Sequence, residues 1–283
     1  MKTRIVAALV LFGSAIAAMA LPAPAGVHRI ADIAYGPDVR QRFDVYLPDA
    51  PPAPHAPVIV MVHGGAWMVG NKALPQVVGN KVARWVTRGA VVVSVGYRLV
   101  PQVGPLDQAD DVARALAKVQ QLAPSWGADP KRMVLMGHSA GAHLVALLAA
   151  SPTLAQRAGA RPWLGTVALD SAALDLSALM RQPHARFYDR VFGSDPALWR
   201  AASPTDVLTA GASPMLLVCS TQRADASCAQ AQRFAALANS RGVRASVSEQ
   251  DLSHLQINDT LGLPGAETDA VQAFFDKIGL GAR

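Results

Sequence analysis

The sequence predicts an α/β protein, a mostly parallel central sheet with helices on both faces, and three observations carry that prediction. Short apolar runs recur that are too continuous for half-exposed strands. Segments with helical spacing alternate with them. At Met133 to Ala149, one such run passes through Gly137-His138-Ser139-Ala140-Gly141 straight into a stretch rich in Ala and Leu.

Taken in order, Phe43 to Leu47 alternates as an early strand, and Pro48 to Pro57 is too proline-rich for regular structure. Val58 to Val62 (VIVMV) reads as a buried strand, Lys81 to Arg88 as a helix and Ala90 to Val95 as a second buried strand. From Asp107 to Leu122, Ala109, Val112, Leu116 and Val119 fall on one helical face. Met133 to Met136 is the strand that feeds the glycine turn. Further strands are expected at Leu164 to Leu169, Met215 to Cys219 and Val243 to Val247, with helices near Ala229 to Ser240 and Thr268 to Ile278. Between Asp170 and Pro214 the pattern loosens around Pro183, Pro196 and Pro204, and a small cap or lid is expected at about 175–210.

The first twenty residues stand apart. Lys2 and Arg4 make a positive start, Ile5 to Ala18 is apolar, and Ala18-Met19-Ala20 has the small-x-small form of a cleavage site. This is the pattern of a secretory signal peptide, too short to span a bilayer, which leaves 21–283 as one domain and a periplasmic or secreted location. No other stretch suggests stable membrane insertion. The formal charge of +6 falls to +4 without Lys2 and Arg4, and the remaining cations are scattered, which argues against nucleic-acid binding. In an oxidising compartment Cys219 and Cys228 are expected to form a disulfide; their isolation rules out a zinc site. No dinucleotide or phosphate loop is visible, so no metal or cofactor is expected.

The chemistry centres on Ser139. A serine on a sharp strand-to-helix turn leaves no room for side chains two residues before or after it, and Gly137 and Gly141 fill those places. His63-Gly64-Gly65-Ala66-Trp67 follows the VIVMV strand, where a loop of backbone N–H groups can face a developing negative charge. The expected oxyanion donors are the amides of Gly65, Ala66 and Ala140.

HGGAW at 63–67, GHSAG at 137–141 and SHLQIN at 253–258 together resemble an α/β-hydrolase of the secreted carboxylesterase and esterase-lipase type, similar to feruloyl esterases. Kynurenine formamidases are similar in the oxyanion loop. The resemblance covers nearly the whole chain after the leader. It implies a Ser-His-Asp acyl-enzyme mechanism acting on a small-molecule carboxylic ester, with the residues in the order serine, acid, histidine.

Of seven histidines, only His254 lies in the loop after the last strand, where the base is expected. His28 and His55 lie early in loops, His63 shapes the oxyanion loop, His138 is inside the elbow, His143 rides the following helix, and His184 falls in the cap segment. For the acid, Asp225 is favoured, six residues past the Met215 to Cys219 strand in a loop that a Cys219–Cys228 bridge would clamp. Asp170, after the preceding strand, is second, and Asp251 reads as a solvated loop charge. Trp67, Phe187, Tyr188 and Phe192 are the candidate pocket aromatics; Trp199 also lies in the cap, and Trp126 and Trp163 read as structural. Two other readings share these motifs, an arylformamidase-type amide hydrolase and a non-catalytic binding module.

Overall fold

The computed structural model describes residues 25–50 and 55–281; the expected leader at 1–20 lies outside the described residues. One eight-stranded sheet runs through the molecule: β1 (Val27–Ala34), β2 (Arg42–Pro48), β3 (Ala56–Val62), β4 (Val91–Val95), β5 (Ala128–His138), β6 (Gly165–Leu169), β7 (Met215–Ser220) and β8 (Ala245–Gln250). Their spatial order is β1-β2-β4-β3-β5-β6-β7-β8. Only the β1–β2 and β2–β4 pairs are antiparallel; the other five are parallel.

The helices are α1 (Pro75–Trp85), α2 (Pro105–Leu122), α3 (Ala140–Ala150), α4 (Pro152–Arg157), α5 (Leu176–Leu179), α6 (Phe187–Phe192), α7 (Pro196–Ala201), α8 (Pro204–Val207), α9 (Ser227–Ser240), α10 (His254–Asp259) and α11 (Ala266–Lys277). Because strand side chains alternate in direction, the central strands divide their apolar residues between two layers. Val58, Val60 and Val62 of β3, with Met133 and Leu135 of β5, pack into the layer that holds α2, α3 and α9. Ile59 and Met61, with Val134 and Met136, pack on the opposite side with α1 and α11. A strand that must be apolar on both faces reads as a continuous run, which is why VIVMV is so conspicuous. Among the described residues, no helix is long and apolar enough to cross a membrane.

Several boundaries differ from the sequence-based expectation. β1 went unread because VHRIADIA has no clean alternation: it pairs on one side only, and its register shifts between Ile30 and Ile33, with Asp32 at a φ of 59°. The first helix begins at Pro75 rather than Lys81; proline suits a first turn, where its missing N–H costs nothing. The last strand begins at Ala245 and runs to Gln250. His254, expected in a loop, is instead the first residue of α10, entered through a capping box between Ser253 and Gln256. Across the 175–210 stretch, the chain forms the four short helices α5 to α8, two of them started by Pro196 and Pro204.

Candidate active site

Ser139 sits at the apex between β5 and α3 with φ 57° and ψ −116°, a conformation ordinary side chains avoid. Its surroundings enforce it. A Cβ on Gly141 would lie 2.3 Å from the Val62 carbonyl oxygen, and one on Gly137 would lie 2.4 Å from that of Gly141. The Ser139 amide donates to the Leu169 carbonyl (2.9 Å), and its own carbonyl accepts from the His143 amide (3.1 Å), so the turn is tied to β6 and to the helix it starts.

His254 reaches Ser139 from α10, with Nε2 2.9 Å from Oγ. Its other ring nitrogen, Nδ1, lies 2.6 Å from Oδ2 of Asp170, which follows β6. Asp170 also has a positive φ (57°), and its amide donates to the Val218 carbonyl on β7 (2.8 Å). Its Oδ1 accepts from the Ser220 amide (3.0 Å), and its Oδ2 accepts from Nη1 of Arg223 (3.0 Å). Burial alone would push this carboxyl up, but the His254 hydrogen bond, the Arg223 charge and the Ser220 amide outweigh it and hold the group well below the usual carboxylate range. An ionised Asp170 fixes the tautomer: the proton between Nδ1 and Oδ2 belongs to Nδ1, which leaves Nε2 to accept from the Ser139 hydroxyl.

Asp225, the acid favoured from the sequence, is not the residue at His254. Its carboxylate is half exposed and accepts both Nε (2.8 Å) and Nη2 of Arg223. The physical reason is local. Arg223, two residues earlier, captures it in a fork-to-fork pair, while the fully buried Asp170 stands directly under the imidazole. Asp251 accepts from Gln222 at the surface (3.0 Å). Arg223 itself was missed: nothing in a lone loop arginine marks it, although its two-residue spacing from Asp225 allows such a pair.

The 63–67 loop arches beside Ser139. Gly65, Ala66 and Trp67 have consecutive φ values of 124°, 49° and 61°, and Gly64 to Trp67 line the same cavity as Ser139 and Ala140. Ala140 opens α3, so its N–H is one of the helix's unpartnered first-turn donors. Among the described residues, the amides of Gly65, Ala66 and Ala140 have no hydrogen-bond acceptor within the protein. Behind the loop, the Tyr97 hydroxyl donates to the His63 carbonyl (2.9 Å), and Nε2 of Gln108 donates to that of Trp67 (2.8 Å).

The cavity holds about 1040 Å³. Trp67, Phe187 and Tyr188 line it; Phe192 does not, because it is fully buried behind them, edge-on to Trp67 at 4.9 Å between ring centres. Trp67 is largely core as well, with its Nε1 donating to Nδ1 of His143 (3.2 Å). His143 in turn donates from Nε2 to the Ala202 carbonyl (2.7 Å), tying α3 to the 175–210 stretch. His138 donates from Nε2 to the His254 carbonyl (2.8 Å) and lies tilted against its ring at 4.6 Å between ring centres, a bracing role not foreseen from the sequence. His63, as expected, shapes its own loop, with Nδ1 donating to the Gly64 carbonyl (2.7 Å). Trp126 and Trp163 are buried and structural. Cys219 and Cys228 are disulfide-bonded, joining the end of β7 to the start of α9 around the Arg223–Asp225 loop.

A family model, BD-FAE, matches residues 43–237. Esterase LipQ of Mycobacterium tuberculosis is 33% identical over 251 residues, 82% of this chain and 59% of that protein. A probable isoprenylcysteine alpha-carbonyl methylesterase of Oryza sativa is 37% identical over 117 residues, 41% of this chain and 27% of its own length. The chain thus spans about a quarter to three fifths of these curated relatives. The solved apo structure of Thermogutta terrifontis esterase 2 superposes with a TM-score of 0.72 at 23% identity, covering 93% of this chain and 98% of that one, a likeness of fold.

Proposed function

This chain belongs to the BD-FAE family, within the α/β-hydrolase fold, and we propose on that premise that it hydrolyses carboxylic esters through an acyl-enzyme on Ser139. The observation that carries the reading is the unbroken line from Ser139 Oγ to His254 Nε2 (2.9 Å) and from His254 Nδ1 to Asp170 Oδ2 (2.6 Å), opening into a cavity. In the first half-reaction, Oγ attacks the ester carbonyl while Nε2 takes its proton. The amides of Gly65, Ala66 and Ala140 face the oxygen that becomes negative, and Asp170 stabilises the imidazolium. As the tetrahedral intermediate collapses, the C–O bond to the alcohol breaks and His254 returns the proton to that oxygen. Water, deprotonated by the same Nε2, then attacks the acyl-enzyme and releases the acid.

Relatives named esterase and methylesterase support ester hydrolysis. Phe187 and Tyr188 of the 175–210 stretch act as the wall of the acyl or alcohol pocket, so this stretch serves as the cap. The Cys219–Cys228 bridge supports a location outside the reducing cytoplasm.

The test uses the full chain. A fluorophosphonate probe should label wild type and not Ser139→Ala, and p-nitrophenyl esters of rising chain length should be turned over with the same dependence. Absence of labelling would make the chain a non-catalytic binding module. Turnover of N-formylkynurenine in preference to every ester would make it an arylformamidase.

A further inference from the structure

We propose that Arg223 is a positioning residue of this site: its guanidinium, pinned by Asp225, fixes the Asp170 carboxylate and opposes a second proton on His254 in the resting enzyme. The proposal rests on the ester-hydrolase reading for its kinetic arm only. Arg223 lies three residues beyond the end of β7, with a side chain only 17% exposed. Nη1 donates to Asp170 Oδ2 (3.0 Å) and to the Asp170 carbonyl (3.1 Å), which sets both the carboxylate and the left-handed backbone that carries it. The same Nη1 stands 2.8 Å from Nδ1 of His254.

That last contact is repulsive. Nδ1 gives its proton to Asp170 Oδ2 and both Nη1 hydrogens go to Asp170, so neither nitrogen accepts from the other and the two donors crowd the same oxygen. The contact persists because the guanidinium is held from its far side: Nε and Nη2 donate to the Asp225 carboxylate, and the Cys219–Cys228 bridge closes the loop around both residues. A buried carboxylate alone would draw a second proton onto the imidazole and disable it as a base. A permanent cation against the same oxygen offsets that pull, and arginine remains charged at any working pH.

The other groups facing His254 do not duplicate this role. His138, on β5, is kept neutral by burial, which pushes its ring down to about 3. Ser139 is uncharged. Lys81, on α1, is spent on the far end of α10, where Nζ donates to the Asn258 carbonyl (2.6 Å); burial draws it down to about 7. Asp251 and Asp259 flank the histidine on its own segment, and Asp251 is bound to Gln222. Arg223 is therefore the cation placed to offset Asp170.

The test compares wild type, Arg223→Met and Arg223→Lys in the full chain by two readouts. In kcat/KM against pH for p-nitrophenyl acetate, Arg223→Met should lower kcat by about tenfold or more with KM nearly unchanged. Its acid limb should move to higher pH by about half a unit or more. Arg223→Lys should restore the limb while recovering only part of kcat, since an ammonium keeps the charge and loses the fork. NMR titration of the His254 ring reads the same shift without turnover, so it stands even if no ester is hydrolysed. A His254 titration in Arg223→Met that superposes on wild type would overturn the proposal, as would an equal displacement in Arg223→Lys. If Arg223→Met does not fold, the lysine variant decides alone: its limb must stay within about 0.2 pH units of wild type.

Discussion

Asp170 and His254, 84 residues apart, meet through a 2.6 Å contact between Oδ2 and Nδ1, whereas the Asp225 carboxylate is turned onto Arg223. The two acids therefore separate cleanly in an experiment. Asp170→Asn replaces an acceptor of the Nδ1 proton with a group of the same shape that no longer selects the tautomer, and kcat should fall by about 10³ to 10⁴-fold. Asp225→Asn weakens only the anchor of Arg223, and kcat should fall by less than about tenfold. Steady-state rates on one p-nitrophenyl ester decide the matter: a larger loss at Asp225 than at Asp170 would contradict the geometry.

What the sequence made legible was whatever local sterics dictate. The elbow at 137–141, the glycine loop at 63–67 and the cysteine pair each lie in a short window and meet a local requirement. His254 was reached by elimination among seven histidines. The carboxylate that meets His254 was not legible, because the choice between Asp170 and Asp225 depends on which of two neighbouring post-strand loops closes on α10. The β6–β7 register and a pairing by Arg223 settle that choice, and no spacing rule encodes either. Phe192 failed for a related reason: in a segment without periodicity, nothing tells an aromatic facing the cavity from one behind it.

Gly65 is the most exacting position of the proposed oxyanion loop. Its φ of 124° is one that β-carbon-bearing residues rarely adopt, and an added Cβ would fall 2.0 Å from the Val69 carbonyl oxygen. Because the obstruction is backbone, Gly65→Ala must displace the loop that carries two of the three proposed donors. The expected loss is about 10² to 10³ in kcat, with fluorophosphonate labelling slowed but not abolished. Unaltered kcat in a folded Gly65→Ala protein would remove this loop from the mechanism.

The disulfide closes a short loop, with a sequence separation of 9. On chain entropy alone, Cys219→Ala with Cys228→Ala should cost roughly 2 to 3 kcal/mol in urea unfolding. Because that loop holds Arg223 and Asp225, the double variant should also lose activity at temperatures well below its unfolding transition. Full activity with lowered stability would show that the bridge serves the fold and not the site.

Three buried histidines make the fold sensitive to acid. Burial pushes His63 and His143 down to about 4 and His138 to about 3, against an ordinary value of 6.5. Above pH 6.5, both folded and unfolded chains hold these rings neutral, and none of them makes stability depend on pH. Between 6.5 and about 4, the unfolded chain binds protons that the native state refuses, so stability falls as pH falls, and the loss levels off below the folded values. Each histidine adds at most about 1.4 kcal/mol per pH unit to that slope. His143 is the one to replace, since glutamine can still accept from Trp67 Nε1 and donate to the Ala202 carbonyl without titrating. Urea unfolding of His143→Gln at pH 7, 6, 5 and 4.5 should show the acid slope reduced by up to about 1.4 kcal/mol per pH unit. A slope identical to wild type would mean that His143 is protonated in the native state, contrary to its acceptance of the Trp67 hydrogen bond.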